Sequence, residues 1–182
     1  MKSISATMNH NAETITLLSV TQYNTFFFWK KLLQLACGIP LLLLGITRPA
    51  DNVWGIVCLF LGCWTLTSLD IPAKFRANRI LEAMNGVFPS STYEFYSDHF
   101  ILTANNIPEK IDYSSLIRLV ENKQYLFLYI SPYSAYMVDS RTITGGKDAL
   151  KTLLSDAAKL KWEKPNRLLT FSRKSLFSHK KK

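Results

Sequence analysis

Cysteine is scarce in this sequence, and its placement excludes the usual cysteine-based sites. The 182 residues include three cysteines, all of them inside apolar runs: Cys37, Cys58 and Cys63. An odd number of cysteines within apolar runs predicts neither a disulfide framework nor a zinc-binding pattern. We therefore interpret these residues as small apolar side chains on helices.

Histidine is equally scarce, and the sequence has no pattern typical of catalysis. No two of the three histidines share a helical face, so neither a metal site nor a histidine-activated nucleophile is predicted. The segment Gly145-Gly146-Lys147 lacks the earlier glycine, and the following Ser or Thr, of a phosphate-binding loop. Paired carboxylates at a useful spacing are also missing. The sequence therefore favours a protein that is not an enzyme and needs no cofactor.

Acidic residues are few near the end of the chain, which concentrates positive charge there. Residues 1–158 have 13 basic and 12 acidic side chains, whereas residues 159–182 have 9 basic side chains and one acid, Glu163. The net charge of +9 is therefore mainly a property of the tail.

Two long apolar runs stand out against this background. The first covers residues 26–47, interrupted by Lys30 and Lys31, whose ammonium groups we expect to reach lipid headgroups. The second covers residues 53–69 without a charge. Because a bilayer is crossed by roughly 20 residues, the two runs and their short connection predict a transmembrane hairpin. The alternatives, two helices of a soluble core or a cleaved signal peptide, fit less well, because the runs are adjacent and the first starts far from residue 1.

Basic residues beside the two runs predict the orientation of the hairpin. They precede the first run and follow the second: Lys30, Lys31, Lys74, Arg76 and Arg79. The connection between the runs has Arg48 and Asp51 as its charged residues. Since cations favour the cytoplasmic side, a multi-pass protein of the cell membrane with both termini in the cytoplasm is predicted. Trp29 and Trp54 suit the inner and outer interfaces.

The segments beside the hairpin have short periodic patterns of their own. Thr14–Val20 is rich in β-branched residues and is interpreted as one strand. Residues 72–84 are interpreted as a helix that leaves the membrane and ends at Asn85-Gly86. The cations of this helix are expected to meet anionic lipid.

From Ser91 the apolar period changes to two, which predicts a meander of five or six short antiparallel strands. Turns are expected at residues 97–99, 105–110 and 131–134. An amphipathic helix follows over residues 146–160. An antiparallel sheet capped by one C-terminal helix is the plan of a pleckstrin-homology-like (PH-like) domain.

A family resemblance rests on three stretches of this region. They are YEFYSDHF at residues 93–100, IDYSSL at residues 111–116 and LFLY at residues 126–129. Together with a hairpin preceded by a strand and followed by a β-rich domain, they resemble the bacterial YcxB-like family over roughly residues 14–160. The resemblance implies a membrane protein of uncharacterised function, and it supplies no catalytic residues.

The tail combines cations with aromatic residues, which is typical of a segment at an anionic membrane surface. The residues expected to contact that surface are Lys161, Trp162, Lys164, Arg167, Arg173, Lys174, Lys180, Lys181 and Lys182. Nucleic acid would attract the same charge but is disfavoured because the anchor keeps the tail near lipid. A solvated, disordered tail is the remaining alternative.

The sequence thus predicts an α+β membrane protein with a two-helix transmembrane hairpin and a PH-like module. Its parts would be a polar segment with a strand (1–24), the hairpin (25–72), a juxtamembrane helix and linker (73–90), the module (91–160) and the basic tail (161–182). The favoured function is a non-catalytic binding or regulatory module at the cytoplasmic membrane face, with lipid and an unidentified protein as partners. The alternatives are an immunity-type interaction protein or a membrane-associated enzyme.

Overall fold

The computed structural model describes residues 4–49 and 52–165, and over these residues the protein is α+β. Its elements are β1 (Ile4–Asn9), α1 (Ala12–Phe26), α2 (Phe28–Ile46), α3 (Val53–Thr67), α4 (Ile71–Met84), β2 (Ser90–Phe95), β3 (His99–Ala104), β4 (Ile107–Asp112), β5 (Arg118–Glu121), β6 (Tyr125–Ser131), β7 (Ser134–Asp139), α5 (Lys147–Ala158) and β8 (Trp162–Glu163). The described chain divides into a β-rich unit, residues 4–26 with 73–165, and a helical unit, residues 27–72.

The first sheet of the β-rich unit is antiparallel, in the order β1-β2-β3-β4. β2 buries Ser91, Tyr93 and Phe95 and exposes the residues between them, which is the period-two pattern expected of a strand with one face in the core. β1 pairs with β2 and places Ile4 opposite Phe95. A strand that precedes both apolar runs therefore completes this sheet.

The second sheet has the order β7-β6-β5-β8 and is mixed, because β8 runs parallel to β5. β6 buries the continuous run Leu126–Tyr129, as a strand covered on both faces does. Leu150 and Leu154 of α5 belong to the same apolar core. The predicted amphipathic helix is thus confirmed. The strand pairs within residues 91–160 are antiparallel, as predicted, and the parallel β8 lies beyond that range.

The interpretation of Thr14–Val20 as a strand is wrong, because these residues lie within α1. The reason is a reciprocal cap at the start of the helix. The Thr14 N–H donates to the Asn11 side-chain oxygen at 2.8 Å, and the Asn11 N–H donates to Thr14 Oγ1, also at 2.8 Å. This pair satisfies two backbone donors and starts the helix in spite of the β-branched residues that follow.

The predicted turn at residues 105–110 is also wrong in its length. Only Asn105 and Asn106 form the turn, both with positive φ, and β4 begins at Ile107. Two consecutive residues with positive φ match the twist of a tight hairpin, and asparagine tolerates this conformation better than most residues. The predicted helix over residues 72–84 is confirmed by α4, with Asn85-Gly86 at its end in positive φ.

Candidate functional site

The helical unit exposes most of its large apolar side chains. Those exposed on α2 and α3 are Trp29, Leu32, Leu33, Ile39, Leu43, Leu44, Ile46, Val53, Trp54, Ile56, Val57, Phe60, Leu61 and Trp64. Trp29 and Trp54 are each 76% exposed. Exposed large apolar side chains in this number are typical of a contact with lipid or with another protein.

Glycines lie where α2 and α3 approach each other. A Cβ added at Gly45 would lie 2.5 Å from Leu59 Cγ, and one at Gly62 would lie 2.7 Å from Leu42 Cγ. Position 45 of α2 thus faces position 59 of α3, and position 42 faces position 62, so the two helices run antiparallel. Small residues at a helix contact allow backbones to approach closely, which is the way helices associate in membranes.

An ion pair joins a residue near the beginning of α2 to a residue shortly after the end of α3. Lys31 Nζ donates to Asp70 Oδ1 at 2.5 Å, and the side chains are 3% and 21% exposed respectively. Lys31, which the sequence predicts to reach lipid headgroups, pairs in the structure with a carboxylate 39 positions later. Lys30, the neighbouring cation, is exposed and lies over the Phe27 ring at 5.0 Å from its centroid.

Length and composition allow one helix of the described residues to cross a membrane. This helix is α2, and only 17% of its most apolar stretch is buried. α3 and α4 are long and apolar enough to cross a membrane only when they are taken together as one broken span. By themselves these properties are weak support for a membrane protein, and α2 also lies near the N-terminus, where a signal sequence would be found.

The three cations of α4 have different surroundings. Lys74 and Arg79 are exposed, and the Arg79 guanidinium lies 4.8 Å from the centroid of the exposed Phe75 ring. Arg76 is half-buried and donates from Nη2 to the Tyr133 carbonyl at 2.6 Å. Arg76 is therefore engaged within the β-rich unit, whereas Lys74 and Arg79 face solvent.

The structure describes only the first part of the predicted basic tail. Trp162 lies in β8, opposite Leu119 of β5, and its Nε1 donates to the Lys151 carbonyl at 3.0 Å. The half-buried Trp162 thus belongs to the β-rich unit, between the exposed Lys161 and Lys164. The remaining tail residues predicted to contact the membrane lie outside the described part: Arg167, Arg173, Lys174, Lys180, Lys181 and Lys182.

The carboxylates of the β-rich unit with shifted pKa values are held in their ionised form. A hydrogen bond to His99 at 2.8 Å lowers the pKa of Asp98, although Asp98 itself is exposed. Hydrogen bonding to Lys151 at 2.8 Å lowers the pKa of Glu121. Lowered values suit ion pairs rather than general acids, which need a raised pKa.

Metal-binding and acid–base geometry can be assessed over residues 4–49 and 52–165. Within these ranges, no group of three or more His, Cys, Asp or Glu side chains could hold a metal ion. Burial raises the pKa of Tyr113 well above its usual value, and its hydroxyl donates to the Tyr96 carbonyl at 2.8 Å. This tyrosine therefore acts as a neutral hydrogen-bond donor that fastens the β2–β3 turn.

Sequence reasoning missed the hydrogen bonds that hold the end of α1 and the first half of α4 in the β-rich unit. Gln22 Nε2 donates to the Pro132 carbonyl at 2.5 Å, next to the Tyr133 carbonyl that accepts from Arg76. Arg118 Nη1 donates to the Thr25 carbonyl at 3.0 Å. Both helices adjoin the apolar runs, so the turn between β6 and β7 fastens the two chain segments that lead to and from the helical unit. These partners are 57 to 110 positions apart, and no local pattern indicates them.

The comparisons with known proteins concern the core of the β-rich unit. Residues 95–154, about a third of the chain, match a family model described as YcxB-like protein. Comparisons with curated proteins and with solved structures found no match. The matched range includes two of the three stretches on which the resemblance was based, residues 111–116 and 126–129. The predicted resemblance is therefore confirmed over residues 95–154, and the match does not extend over the rest of the predicted range of roughly residues 14–160.

Proposed function

We propose that the helical unit crosses the cell membrane as a two-helix hairpin and anchors the β-rich unit at the cytoplasmic face. The observation that carries this proposal is the inverted distribution of side chains in α2 and α3. Their glycines face the opposing helix, and most of their large apolar side chains are exposed. In water such a surface would be unstable, whereas in lipid the outward leucines and tryptophans are solvated by acyl chains.

The orientation follows from the cations that remain exposed. Lys30 precedes the hairpin, and Lys74 and Arg79 follow it. Because α2 and α3 are antiparallel, the chain enters and leaves this pair at one end, and the three cations flank that end in sequence, which supports a cytoplasmic location for both termini. The exposed Trp29 and Trp54 lie near opposite ends of the pair, as residues of the two interfacial belts do.

The β-rich unit is proposed to be a non-catalytic binding or regulatory module with a PH-like plan. Two four-stranded sheets and a C-terminal helix that buries Leu150 and Leu154 support this plan. β8, added in parallel after α5, is an extension of it. The binding role rests on analogy of fold, since the YcxB-like match provides a family without an assigned activity.

Membrane insertion and orientation can be tested in a bacterial host. The full chain should remain in the membrane pellet after alkaline carbonate extraction. A periplasm-dependent phosphatase inserted at Asn52 should be active, whereas fusions after Asn85 and after Lys182 should be inactive. Release of the chain by carbonate would contradict insertion. An active phosphatase after Lys182 with an inactive one at Asn52 would contradict the orientation.

A further inference from the structure

The outward face of α4 combines two cations with an aromatic ring. Lys74, Phe75 and Arg79 are all exposed, while Ala73 and Ala77 on the opposite side are buried. The Arg79 guanidinium lies over the Phe75 ring at 4.8 Å from its centroid. Phe75 and Arg79, four positions apart, are neighbours on the helix surface, and Lys74 adds a second exposed cation next to the ring in sequence.

Two neighbours limit the extent of this face. Arg76 lies on another side of the helix, where it donates to the Tyr133 carbonyl at 2.6 Å and its guanidinium lies 5.3 Å from the centroid of the Tyr133 ring. Glu82 is exposed on the same side as Phe75, two turns further along α4. The basic character is therefore confined to the beginning of the helix, the part nearest in sequence to α3.

We propose that Lys74, Phe75 and Arg79 form a binding surface for the headgroup of an anionic phospholipid. The cations would pair with the phosphate, and the ring would enter the boundary between headgroups and acyl chains. This inference rests on the proposed membrane insertion of the helical unit. Because α3 ends at Thr67 and α4 begins at Ile71, Lys74 is the first cation that follows the second helix of the proposed hairpin.

The surface can be tested with the full chain in mild detergent. Native mass spectrometry measures how many phosphatidylglycerol or phosphatidylcholine molecules stay bound as each lipid is titrated. The double variant Lys74→Gln/Arg79→Gln should weaken phosphatidylglycerol binding by roughly 25-fold, since each cation near an anionic surface contributes roughly fivefold. Phosphatidylcholine binding should change by less than about twofold, because the neutral headgroup gains little from the cations.

Two controls separate a local site from a general effect of charge. Lys110→Gln/Lys123→Gln removes the same charge from exposed positions in β4 and in the turn before β6. Arg76→Gln removes a cation of α4 that already contacts protein. Both should leave phosphatidylglycerol binding within about twofold of the parent chain. The cations of residues 166–182 are present in every variant, so they cannot create a difference.

Each outcome bears on a different claim. Three results would contradict the proposed lipid-binding surface. They are an equal loss of phosphatidylglycerol binding in the Lys110/Lys123 control, no loss in the Lys74/Arg79 variant, and equally effective competition by inorganic phosphate. Retention of the full chain by membranes after carbonate extraction, together with any of these results, would leave the membrane anchor in place. Release by carbonate would overturn the anchor and this surface together.

Discussion

The ion pair between Lys31 and Asp70 permits a quantitative prediction about the helical unit. Lys31 is 3% exposed and Asp70 is 21% exposed, so the ammonium group is more completely removed from solvent than the carboxylate. Removing one member of a buried pair leaves an uncompensated charge, which typically costs about 3–5 kcal/mol. The unequal burial predicts unequal consequences for the two single variants.

Asp70→Asn should be the more damaging change, because it leaves the buried ammonium of Lys31 without its carboxylate partner. We expect a loss of about 3 kcal/mol in the free energy of unfolding. Lys31→Met should cost about 1–2 kcal/mol, because the partly exposed Asp70 can be hydrated once the lysine is gone. The double variant should be more stable than Asp70→Asn alone, which requires a coupling energy larger than the cost of Lys31→Met, about 2–3 kcal/mol.

The measurement is equilibrium unfolding of the full chain in mild detergent, followed by the helical signal in circular dichroism. Lys30→Met is a matched control, since it makes the same change at the adjacent exposed position, where the cation lies over the Phe27 ring. Its cost should not exceed about 1 kcal/mol. If the effects of Lys31→Met and Asp70→Asn simply add, or if Lys30→Met is as damaging as Lys31→Met, the reasoning from burial is refuted.

Two further predictions concern close contacts and pH. Gly45→Ala should destabilise the helical unit by about 1–3 kcal/mol, because its Cβ would meet the Leu59 backbone nitrogen at 2.7 Å. Gly38→Ala, whose Cβ would lie 3.2 Å from the nearest side-chain atom, should change the free energy of unfolding by no more than about 1 kcal/mol. Equal unfolding midpoints for the Gly45→Ala and Gly38→Ala variants in detergent would contradict this difference. Hydrogen bonds from Arg141 lower the pKa of Asp139, so this carboxylate stabilises the fold above its unfolded pKa, and the contribution is lost as pH falls through the lower folded pKa. Asp139→Asn should therefore lower the melting temperature at neutral pH but not in strong acid, and a difference that is constant with pH would count against it.

Sequence reasoning succeeded where one physical rule dominates a local segment. β2 and β3 follow strict alternation because one face of their sheet lies in the core, and α5 follows the helical period because Leu150 and Leu154 enter the same core. The end of α4 and the start of α5 were predicted from the glycines at positions 86 and 146. In the structure both Gly86 and Gly146 have positive φ. In these segments local propensity and tertiary packing favour the same structure.

The predictions failed where two local rules conflict or where the partner is distant. In α1 the β-branched residues favour a strand, but the cap formed by Asn11 and Thr14 favours a helix and prevails. The pairing of β5 with Trp162 in β8 depends on a strand more than 40 positions away, and a two-residue strand has no periodicity to detect. Lys31 could not be assigned from its neighbours because its carboxylate partner lies beyond α3.

The two units bury opposite kinds of residue, and this contrast bears on the solvent that surrounds each. The largest fully buried side chains all belong to the β-rich unit, and they are aromatic or aliphatic. Among the described residues of the helical unit, those that are buried are one leucine, one lysine and four glycines: Leu69, Lys31, Gly38, Gly45, Gly55 and Gly62. Water drives apolar side chains inwards, so it accounts for the first pattern and opposes the second. A chain that follows both patterns is consistent with folding in two media, water for the sheets and lipid for the helix pair.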